Sequence, residues 1–232
     1  YLVEWEQDQG YSIVNDSGLV TISAYETITL NILQKLLDFT QAGIKGQKEL
    51  NARFIKDHSA LFEKVDVSKQ KAIKYAFVNS RILLIYGAAG TGKTTLINYI
   101  SSLMPKSKKL FLTKTHTAIQ HLQRRIDNPG SDSDFICIDS FTRRVNLPDY
   151  DIIFVDECST IDNRTMLNFI GKISSDSLIV LAGDINQIES IDFGNWFYYA
   201  KDIITTQGAN IELLDTWRTQ EINLLNLWEE VR

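Results

Sequence analysis

The glycine-rich segment at residues 87–94 restricts the possible folds of this chain more than any other feature of its sequence. It reads Gly-Ala-Ala-Gly-Thr-Gly-Lys-Thr and fits the pattern GxxxxGK[ST] at every fixed position. An apolar run at residues 82–86 comes directly before it, and a helical pattern at 93–103 begins inside it. A strand, a glycine-rich turn and a helix in this order predict an α/β fold built on a parallel sheet.

Short apolar runs alternate with helical patterns from residue 67 onward, which predicts a mostly parallel sheet with helices on both faces. The predicted strands lie at residues 82–86, 110–113, 135–138, 152–155, 178–182 and 211–214. The predicted helices lie at 93–103, 116–125, 164–173 and 195–203. We therefore expect one large α/β domain at residues 67–232.

Residues 1–66 predict a smaller α+β accessory region. A turn at residues 15–18 separates two short apolar runs, as in a β-hairpin. Two helical patterns follow, with apolar stripes formed by Leu30, Leu33, Leu36 and Leu37 and by Leu50, Phe54, Leu61 and Phe62. These stripes are typical of packing elements or of a surface that binds a partner.

Composition excludes several classes of protein. With 24 Lys+Arg against 29 Asp+Glu, the formal charge of −5 gives no overall basic field for nucleic acid, although a local basic face is compatible with it. Cys137 and Cys158 are the only cysteines in the sequence, which indicates neither a disulfide framework nor a zinc site. The sequence contains no apolar run of the ~20 residues that cross a bilayer, so we expect a cytoplasmic protein without a membrane partner.

Phosphate chemistry explains the residue types in the glycine-rich segment, which is a Walker A pattern. Glycines let main-chain N–H groups approach a triphosphate, and the start of the following helix favours the same negative charge. Lys93 supplies a mobile positive charge for the β and γ phosphates, and the Thr94 hydroxyl is the expected Mg²⁺ ligand. A glycine-rich turn without a ligand is the alternative interpretation.

Two adjacent carboxylates follow the apolar run at residues 152–155, as in a Walker B pattern. Because ligands bind at the carboxyl ends of parallel strands, Asp156 is placed to hold Mg²⁺ and Glu157 to orient or deprotonate an attacking water. A solvated acidic turn is the alternative. Together with the Walker A pattern, this pair predicts hydrolysis of a nucleoside triphosphate, with ATP and Mg²⁺ as cofactors.

The order of further motifs resembles the first RecA-like motor domain of superfamily 1 helicases of the RecD-like group. These motifs lie at residues 68–73, 112–118, 138–141, 182–187 and 213–219. The resemblance implies a RecA-like P-loop NTPase in which Gln70 reads adenine, Gln187 of a GDxxQ motif senses the γ phosphate, and Arg218 neutralises charge on the transferred group. The alternative for Gln70 is an incidental glutamine near a helix start. The alternative for Arg218 is a surface ion pair.

The resemblance also implies contacts with a single strand of nucleic acid, by hydroxyl and main-chain groups that hold its sugar-phosphate backbone. The predicted contacts are Thr115, His116, Thr117, Ser140 and Phe141. The alternative for residues 115–117 is a capped helix with a surface histidine. The alternative for residues 140–141 is a solvated loop. The complete predicted nucleotide site comprises Gln70, Gly87, Ala88, Ala89, Gly90, Thr91, Gly92, Lys93, Thr94 and Thr95, with Thr94 and Asp156 at the metal and Lys93, Glu157, Gln187 and Arg218 as catalytic groups.

The expected function is that of an ATP-dependent DNA helicase or translocase that moves on single-stranded nucleic acid. A second RecA-like domain, from a missing part of the chain or from a partner, is expected to complete the cleft, and residues 1–232 alone are expected to hydrolyse ATP slowly and not to unwind. An NTPase switch acting on a protein partner and an RNA helicase of the same superfamily stay open as alternatives. ATPase stimulation by DNA or RNA distinguishes them.

Overall fold

Six parallel strands form the central sheet of this computed structural model, which describes residues 13–16, 19–63, 65–127, 129–185 and 194–214. The strands are β3 (Ile82–Gly87), β4 (Lys109–Thr113), β5 (Ser133–Cys137), β6 (Ile152–Val155), β7 (Leu178–Gly183) and β8 (Asn210–Leu213). Each lies within about two residues of a run predicted from the sequence. The prediction of a parallel α/β fold is confirmed.

The order of strands across the sheet is β5-β4-β6-β7-β3-β8. Strand β3, which leads into the glycine-rich segment, pairs with β7 and β8. Strand β6, which leads into the acidic pair, is separated from β3 by β7. Because every neighbouring pair is parallel, the carboxyl ends of all the strands meet along one edge of the sheet.

Helices cover both faces of the sheet. Their bounds are Ser23–Asp38, Gln47–Asp57, Ser59–Phe62, Val67–Tyr75, Lys93–Leu103, His116–Arg125, Ile138–Arg143, Asn163–Ile170 and Trp196–Ile203, with a 3₁₀ turn at Cys158–Thr160. The predicted helices at 93–103 and 116–125 are confirmed to the residue. The helix predicted at 164–173 ends at Ile170 because Gly171 caps it.

Two apolar clusters form the core, one on each face of the sheet. The four inner strands β3, β4, β6 and β7 are buried on both faces, which is why they read as continuous apolar runs rather than alternating ones. Burying a large aliphatic or aromatic side chain contributes about 1.5–3 kcal/mol. This rigid sheet holds the loops at its carboxyl edge in fixed relative positions.

The described N-terminal part contains the predicted hairpin, formed by β1 (Ile13–Asp16) and the antiparallel strand β2 (Leu19–Ile22). Asn15 and Asp16, predicted in the turn, belong to β1. The helix Ser23–Asp38 then packs on the sheet, with Ile32 and Leu36 in the same cluster as core residues of β6 and β7. The buried positions include Thr29, Ile32, Leu33 and Leu36, which follow the i, i+3, i+4, i+7 spacing of one helix face. Leu30 lies off this face and is 65% exposed, so its predicted place in the stripe is wrong.

The helix Gln47–Asp57 buries polar side chains where an apolar stripe was predicted. Leu50 is exposed, whereas Gln47 and Asn51 are buried. The Gln47 amide donates to Asn51 Oδ1 at 2.8 Å, and the Asn51 amide donates to the carbonyl oxygen of Ala76 at 2.9 Å. These paired amides remove the cost of burying polar groups. The division of the chain into an accessory region at residues 1–66 and a larger domain stays a prediction.

Among the residues that the structure places, no helix combines the length and the apolar character that crossing a bilayer requires.

Candidate functional site

The glycine-rich loop joins the end of β3 to the helix Lys93–Leu103, as the sequence predicts. Gly87 must lack a side chain, because a Cβ atom there would lie 2.5 Å from the carbonyl oxygen of Leu213 on β8. Gly92, which precedes the first residue of the helix, has a φ of 88°, in the left-handed region that favours glycine. The loop therefore turns tightly between β3 and the helix, and the start of that helix is a site that favours negative charge.

The ammonium group of Lys93 lies over this loop. Its Nζ atom donates to the carbonyl oxygens of Gly87 at 2.7 Å and Ala88 at 3.0 Å. Thr91, within the loop, is fully buried, and its hydroxyl also donates to the carbonyl oxygen of Ala88 at 2.9 Å. The positive charge is thus held at the centre of the cradle, where phosphate oxygens would replace carbonyl oxygens as its acceptors.

Thr94 of the Walker A pattern and Asp156 of the Walker B pattern are in direct contact. The Thr94 hydroxyl donates to Asp156 Oδ2 at 3.0 Å, and the main-chain N–H of Glu157 donates to Oδ1 at 2.9 Å. Burial raises the pKa of the Asp156 carboxyl, while these two bonds and the charges of Lys93 and Arg125 oppose that rise. The Thr94 hydroxyl and the Asp156 carboxylate are brought together as a pair of oxygen donors.

These donors suit a magnesium ion that is shared with a nucleotide. Within the described ranges, no cluster of three or more His, Cys, Asp or Glu side chains forms a complete metal site. Mg²⁺ is commonly bound by one or two protein oxygens together with substrate phosphates and waters. The pairing of Thr94 with Asp156 beside the phosphate cradle fits that chemistry.

Glu157 has an unusual backbone conformation at the end of β6. Its φ of 58° and ψ of 39° lie in the left-handed region, which side chains other than glycine seldom adopt. This turn leaves Asp156 buried and its neighbour Glu157 exposed. Although the side chain is exposed, partial desolvation at the sheet edge raises the pKa of the Glu157 carboxyl, the adjacent Asp156 adds to the rise, and His121 and Lys93 oppose it.

A cleft of about 450 Å³ opens beside the loop and the start of its helix. Residues from the loop, the helix Val67–Tyr75 and the helix His116–Arg125 line it: Val65, Asp66, Lys69, Gly90, Gly92, Lys93, Thr94, Thr95, Tyr99 and Arg125. Lys69 forms an ion pair with Asp66 at its floor, where both side chains are 6% exposed. Five predicted residues thus line a cavity beside the helix start: Gly90, Gly92, Lys93, Thr94 and Thr95.

Arg125, a basic residue outside the predicted motifs, also faces this cleft. It lines the cavity together with Lys93 and Thr94, and its charge acts on Asp156. His121, one helical turn earlier, acts on Glu157 in the same way. The spacing i, i+4 around buried Leu122 places both side chains on one exposed face. The sequence shows that spacing but not the carboxylates on which the two side chains act.

Gln70 has a structural role in the arrangement that the structure describes. Its Nε2 atom donates to the carbonyl oxygens of Phe62 at 2.8 Å and Val65 at 2.9 Å, so both amide hydrogens hold the segment before the helix Val67–Tyr75. The cap of that helix is Asp66, which accepts from the N–H of Lys69 at 2.8 Å. Adenine recognition by Gln70 stays a prediction.

The predicted strand contacts lie along the same edge, at the ends of the neighbouring strands β4 and β5. Thr115, His116 and Thr117 are exposed at the start of a helix, and the Thr115 hydroxyl caps it by accepting from the N–H of Ala118 at 3.2 Å. Ser140 is exposed as well. These four residues are accessible, and their contact with nucleic acid stays a prediction.

Phe141 is placed differently from the prediction. Its ring is 1% exposed and packs against Phe169, with the ring centroids 5.8 Å apart. An apolar ring on the inner face of a short helix gains more from the core than from solvent. The Phe141 side chain is therefore a core residue, and its prediction as a contact for nucleic acid is wrong.

Gln187 and Arg218 lie outside the described residues, so their predicted roles at the γ phosphate stay predictions. Asp184 of the same GDxxQ motif is described and buried at the end of β7. Strand β7 lies between β6 and β3. This placement brings the beginning of the GDxxQ motif to the same edge as Asp156 and the glycine-rich loop.

Comparisons of the sequence with known proteins find a matching family and similar proteins. A family model described as an AAA domain matches residues 65–232. RecBCD enzyme subunit RecD of Buchnera aphidicola is 29% identical over 175 residues, which cover 61% of this chain and 29% of that protein. An uncharacterized protein of Methanocaldococcus jannaschii is 29% identical over 146 residues, covering 52% of this chain and 12% of that protein. The chain thus spans less than a third of either relative.

Solved structures of helicases also resemble the chain. Bacteroides Pif1 helicase in complex with ADP-AlF3 and ssDNA is 16% identical, with a TM-score of 0.43 over 65% of this chain and 42% of that one. Pif1 helicase from Candida albicans is 16% identical, with a TM-score of 0.43 over 72% of this chain and 44% of that one.

Proposed function

Since this chain belongs to the AAA domain family, we propose that it is the first motor domain of an ATP-dependent, superfamily 1-type DNA helicase or translocase. The observation that carries the proposal is the convergence of Lys93, Thr94 and Asp156 at one sheet edge. The Thr94 hydroxyl lies 3.0 Å from the Asp156 carboxylate, and the Lys93 ammonium lies over the adjoining loop. A phosphate cradle, a donor pair for a metal ion and a neighbouring carboxylate are the parts that hydrolysis of ATP requires.

Each residue has a distinct role in the proposed reaction. The amides of the loop and the ammonium of Lys93 bind the phosphates of ATP, and Thr94 and Asp156 hold Mg²⁺. When bound there, the ion would neutralise charge on the phosphates. Glu157 orients the attacking water and accepts its proton, for which a carboxyl of raised pKa is better suited than an ordinary one. Gln187 and Arg218 are proposed to contact the γ phosphate.

The proposed track for single-stranded nucleic acid runs along the ends of β4 and β5, beside the nucleotide site. Exposed Thr115, Thr117 and Ser140 offer hydroxyl groups there, and the helix start at His116 offers main-chain N–H groups. Such groups bind phosphates without a large net positive charge. A second RecA-like domain is proposed to supply the other half of the track and of the nucleotide cleft.

The experiment that tests this function measures steady-state ATPase activity of the full-length protein with poly-dT, with poly-U and with neither. We expect poly-dT to raise turnover, because strand binding and hydrolysis share one sheet edge. Equal stimulation by poly-U would indicate an RNA-directed motor. Turnover that is unchanged by either polymer would contradict the motor function and favour an NTPase switch that acts on a protein partner.

Arg125 provides a test of the cleft itself. We expect Arg125→Ala to weaken ATP binding about tenfold, because a charge-assisted hydrogen bond to phosphate contributes roughly 1.5–3 kcal/mol. Equilibrium binding of ATP with Mg²⁺ is the measurement. Arg124→Ala is the matched control, since Arg124 is the adjacent exposed arginine and does not line the cleft. Equal affinities for the two variants would exclude Arg125 from the nucleotide site.

A further inference from the structure

One lysine ties together the ends of three neighbouring strands. Lys114, directly after β4, donates from Nζ to Asp139 Oδ1 at 3.2 Å and to Asp162 Oδ2 at 3.1 Å. Asp139 lies in the first turn of the helix that follows β5, and Asp162 precedes the helix that follows β6. Because β4 lies between β5 and β6, the ammonium is at the centre of this group.

The interaction is stronger than an ordinary surface ion pair. The Asp162 side chain is 9% exposed and the Lys114 side chain 26%, so water screens their attraction only in part. Burial alone would raise the pKa of Asp162, but bonds from Thr165 and Lys114 lower it below its ordinary value. The pair is therefore charged at neutral pH. Without the ammonium, two carboxylates would face each other at the same place.

A short, hydrogen-bonded segment connects Asp162 to the predicted general base. The 3₁₀ turn Cys158–Thr160 fills most of the interval between Glu157 and Asp162. Within it, the Thr160 hydroxyl donates to the carbonyl oxygen of Glu157 at 2.8 Å, and the Thr160 N–H donates to the same oxygen at 3.0 Å. Since Lys114 holds Asp162, it also restricts the segment that sets the backbone of Glu157.

On its other side, Lys114 adjoins the proposed strand contacts. Thr115 follows it directly, and the Thr113 hydroxyl donates to the carbonyl oxygen of Thr115 at 3.0 Å. Ser140 follows Asp139 directly. A strand that contacts Thr115 or Ser140 therefore acts on residues adjacent to the ion pairs of Lys114.

From these contacts we propose that Lys114 is a positioning residue that couples the occupied strand track to Glu157. This inference rests on the proposed motor function. When a strand is bound, Thr115 and Ser140 are fixed, and the ion pairs of Lys114 hold Asp162 and the 3₁₀ turn so that the Glu157 carboxylate is aligned with the water. Lys114 acts through Asp139 and Asp162 and does not contact ATP.

The test compares ATP turnover with and without poly-dT in full-length wild type, Lys114→Met and Lys114→Arg. Lys114→Met keeps the aliphatic stem and removes the charge. We expect its ATP affinity to match wild type and its DNA-stimulated turnover to fall more than its DNA-free turnover, so that the stimulation ratio falls at least about fivefold, the lower range of typical coupling between sites. Lys114→Arg is expected to restore the ratio. Lys106→Met, at an exposed lysine, is the control.

The two proposals fail in different arms of this experiment. Absence of stimulation in wild type would contradict the motor function and remove the coupling with it. Normal stimulation in wild type combined with an equal ratio in Lys114→Met would overturn the coupling alone. Equal loss of DNA-free and DNA-stimulated turnover in Lys114→Met would also overturn it, because that result describes a residue needed only for folding.

A second variant keeps the inference testable if Lys114→Met does not fold. Asp139→Asn removes the negative charge that pairs with Lys114 beside Ser140 and leaves the pair between Lys114 and Asp162 in place. The Asp139 side chain is 39% exposed, so the fold is expected to tolerate the change. Its stimulation ratio is expected to fall while DNA-free turnover stays unchanged. An unchanged ratio, equal to that of the exposed control Asp149→Asn, would overturn the coupling.

Discussion

Lys93→Ala is expected to reduce ATP turnover by the full-length protein at least about 100-fold, the loss typical when one donor aimed at developing charge is removed. It is also expected to weaken ATP binding. The ammonium is the cationic group held over the loop by the carbonyl oxygens of Gly87 and Ala88. Alanine removes both the charge and these bonds. Steady-state turnover and equilibrium binding of ATP with Mg²⁺ are the measurements.

The matched control for this variant is Lys106→Ala. Lys106 is exposed and does not line the cleft, so its loss changes the net charge by the same amount at a distant place. Thermal unfolding of both variants shows whether the loop still folds. Wild-type affinity and turnover in a folded Lys93→Ala variant would contradict the nucleotide site on which the proposed function depends.

Glu157→Gln is expected to separate binding from hydrolysis. The amide keeps the shape of the side chain but cannot accept a proton from water, so turnover is expected to fall at least about 100-fold. ATP affinity is expected to stay close to wild type or to rise, because a negative charge near the phosphates is removed. Single-turnover hydrolysis beside equilibrium binding makes this distinction.

Glu49→Gln is the control for this variant, since Glu49 is exposed on the helix Gln47–Asp57 and does not line the cleft. Turnover of Glu157→Gln within a fewfold of the control would show that Glu157 is not the general base. A parallel loss of ATP affinity would instead assign it to binding.

Sequence patterns predict the sheet well and the helix faces less well. The runs at 82–86 and 152–155 are buried on both sides, and burial of a whole strand leaves an unambiguous apolar signal. Leu30 and Phe141 show that the burial of a single side chain is harder to predict. Leu30 is exposed and Phe141 is buried, because the face that a helix presents to the core depends on tertiary packing that the helix's own sequence does not encode.

Local motifs predict the centre of the candidate site, while its periphery comes from long-range contacts. The glycine-rich loop and the Asp156–Glu157 pair are each contiguous, so spacing alone identifies them. Arg125 and Lys114 belong to no contiguous motif. Their partners are brought to them by the order of the strands, which the sequence does not specify.

The backbone at Glu157 has a further consequence for anyone who modifies this protein. A left-handed conformation at a residue with a side chain typically costs of order 1 kcal/mol or more, so glycine at this position would relax the turn after β6. Selection of variants for thermal tolerance alone would favour that exchange and discard the carboxylate. At this position, thermal stability favours glycine, whereas the proposed hydrolysis requires glutamate. Stabilising substitutions should therefore be sought at other positions in the chain.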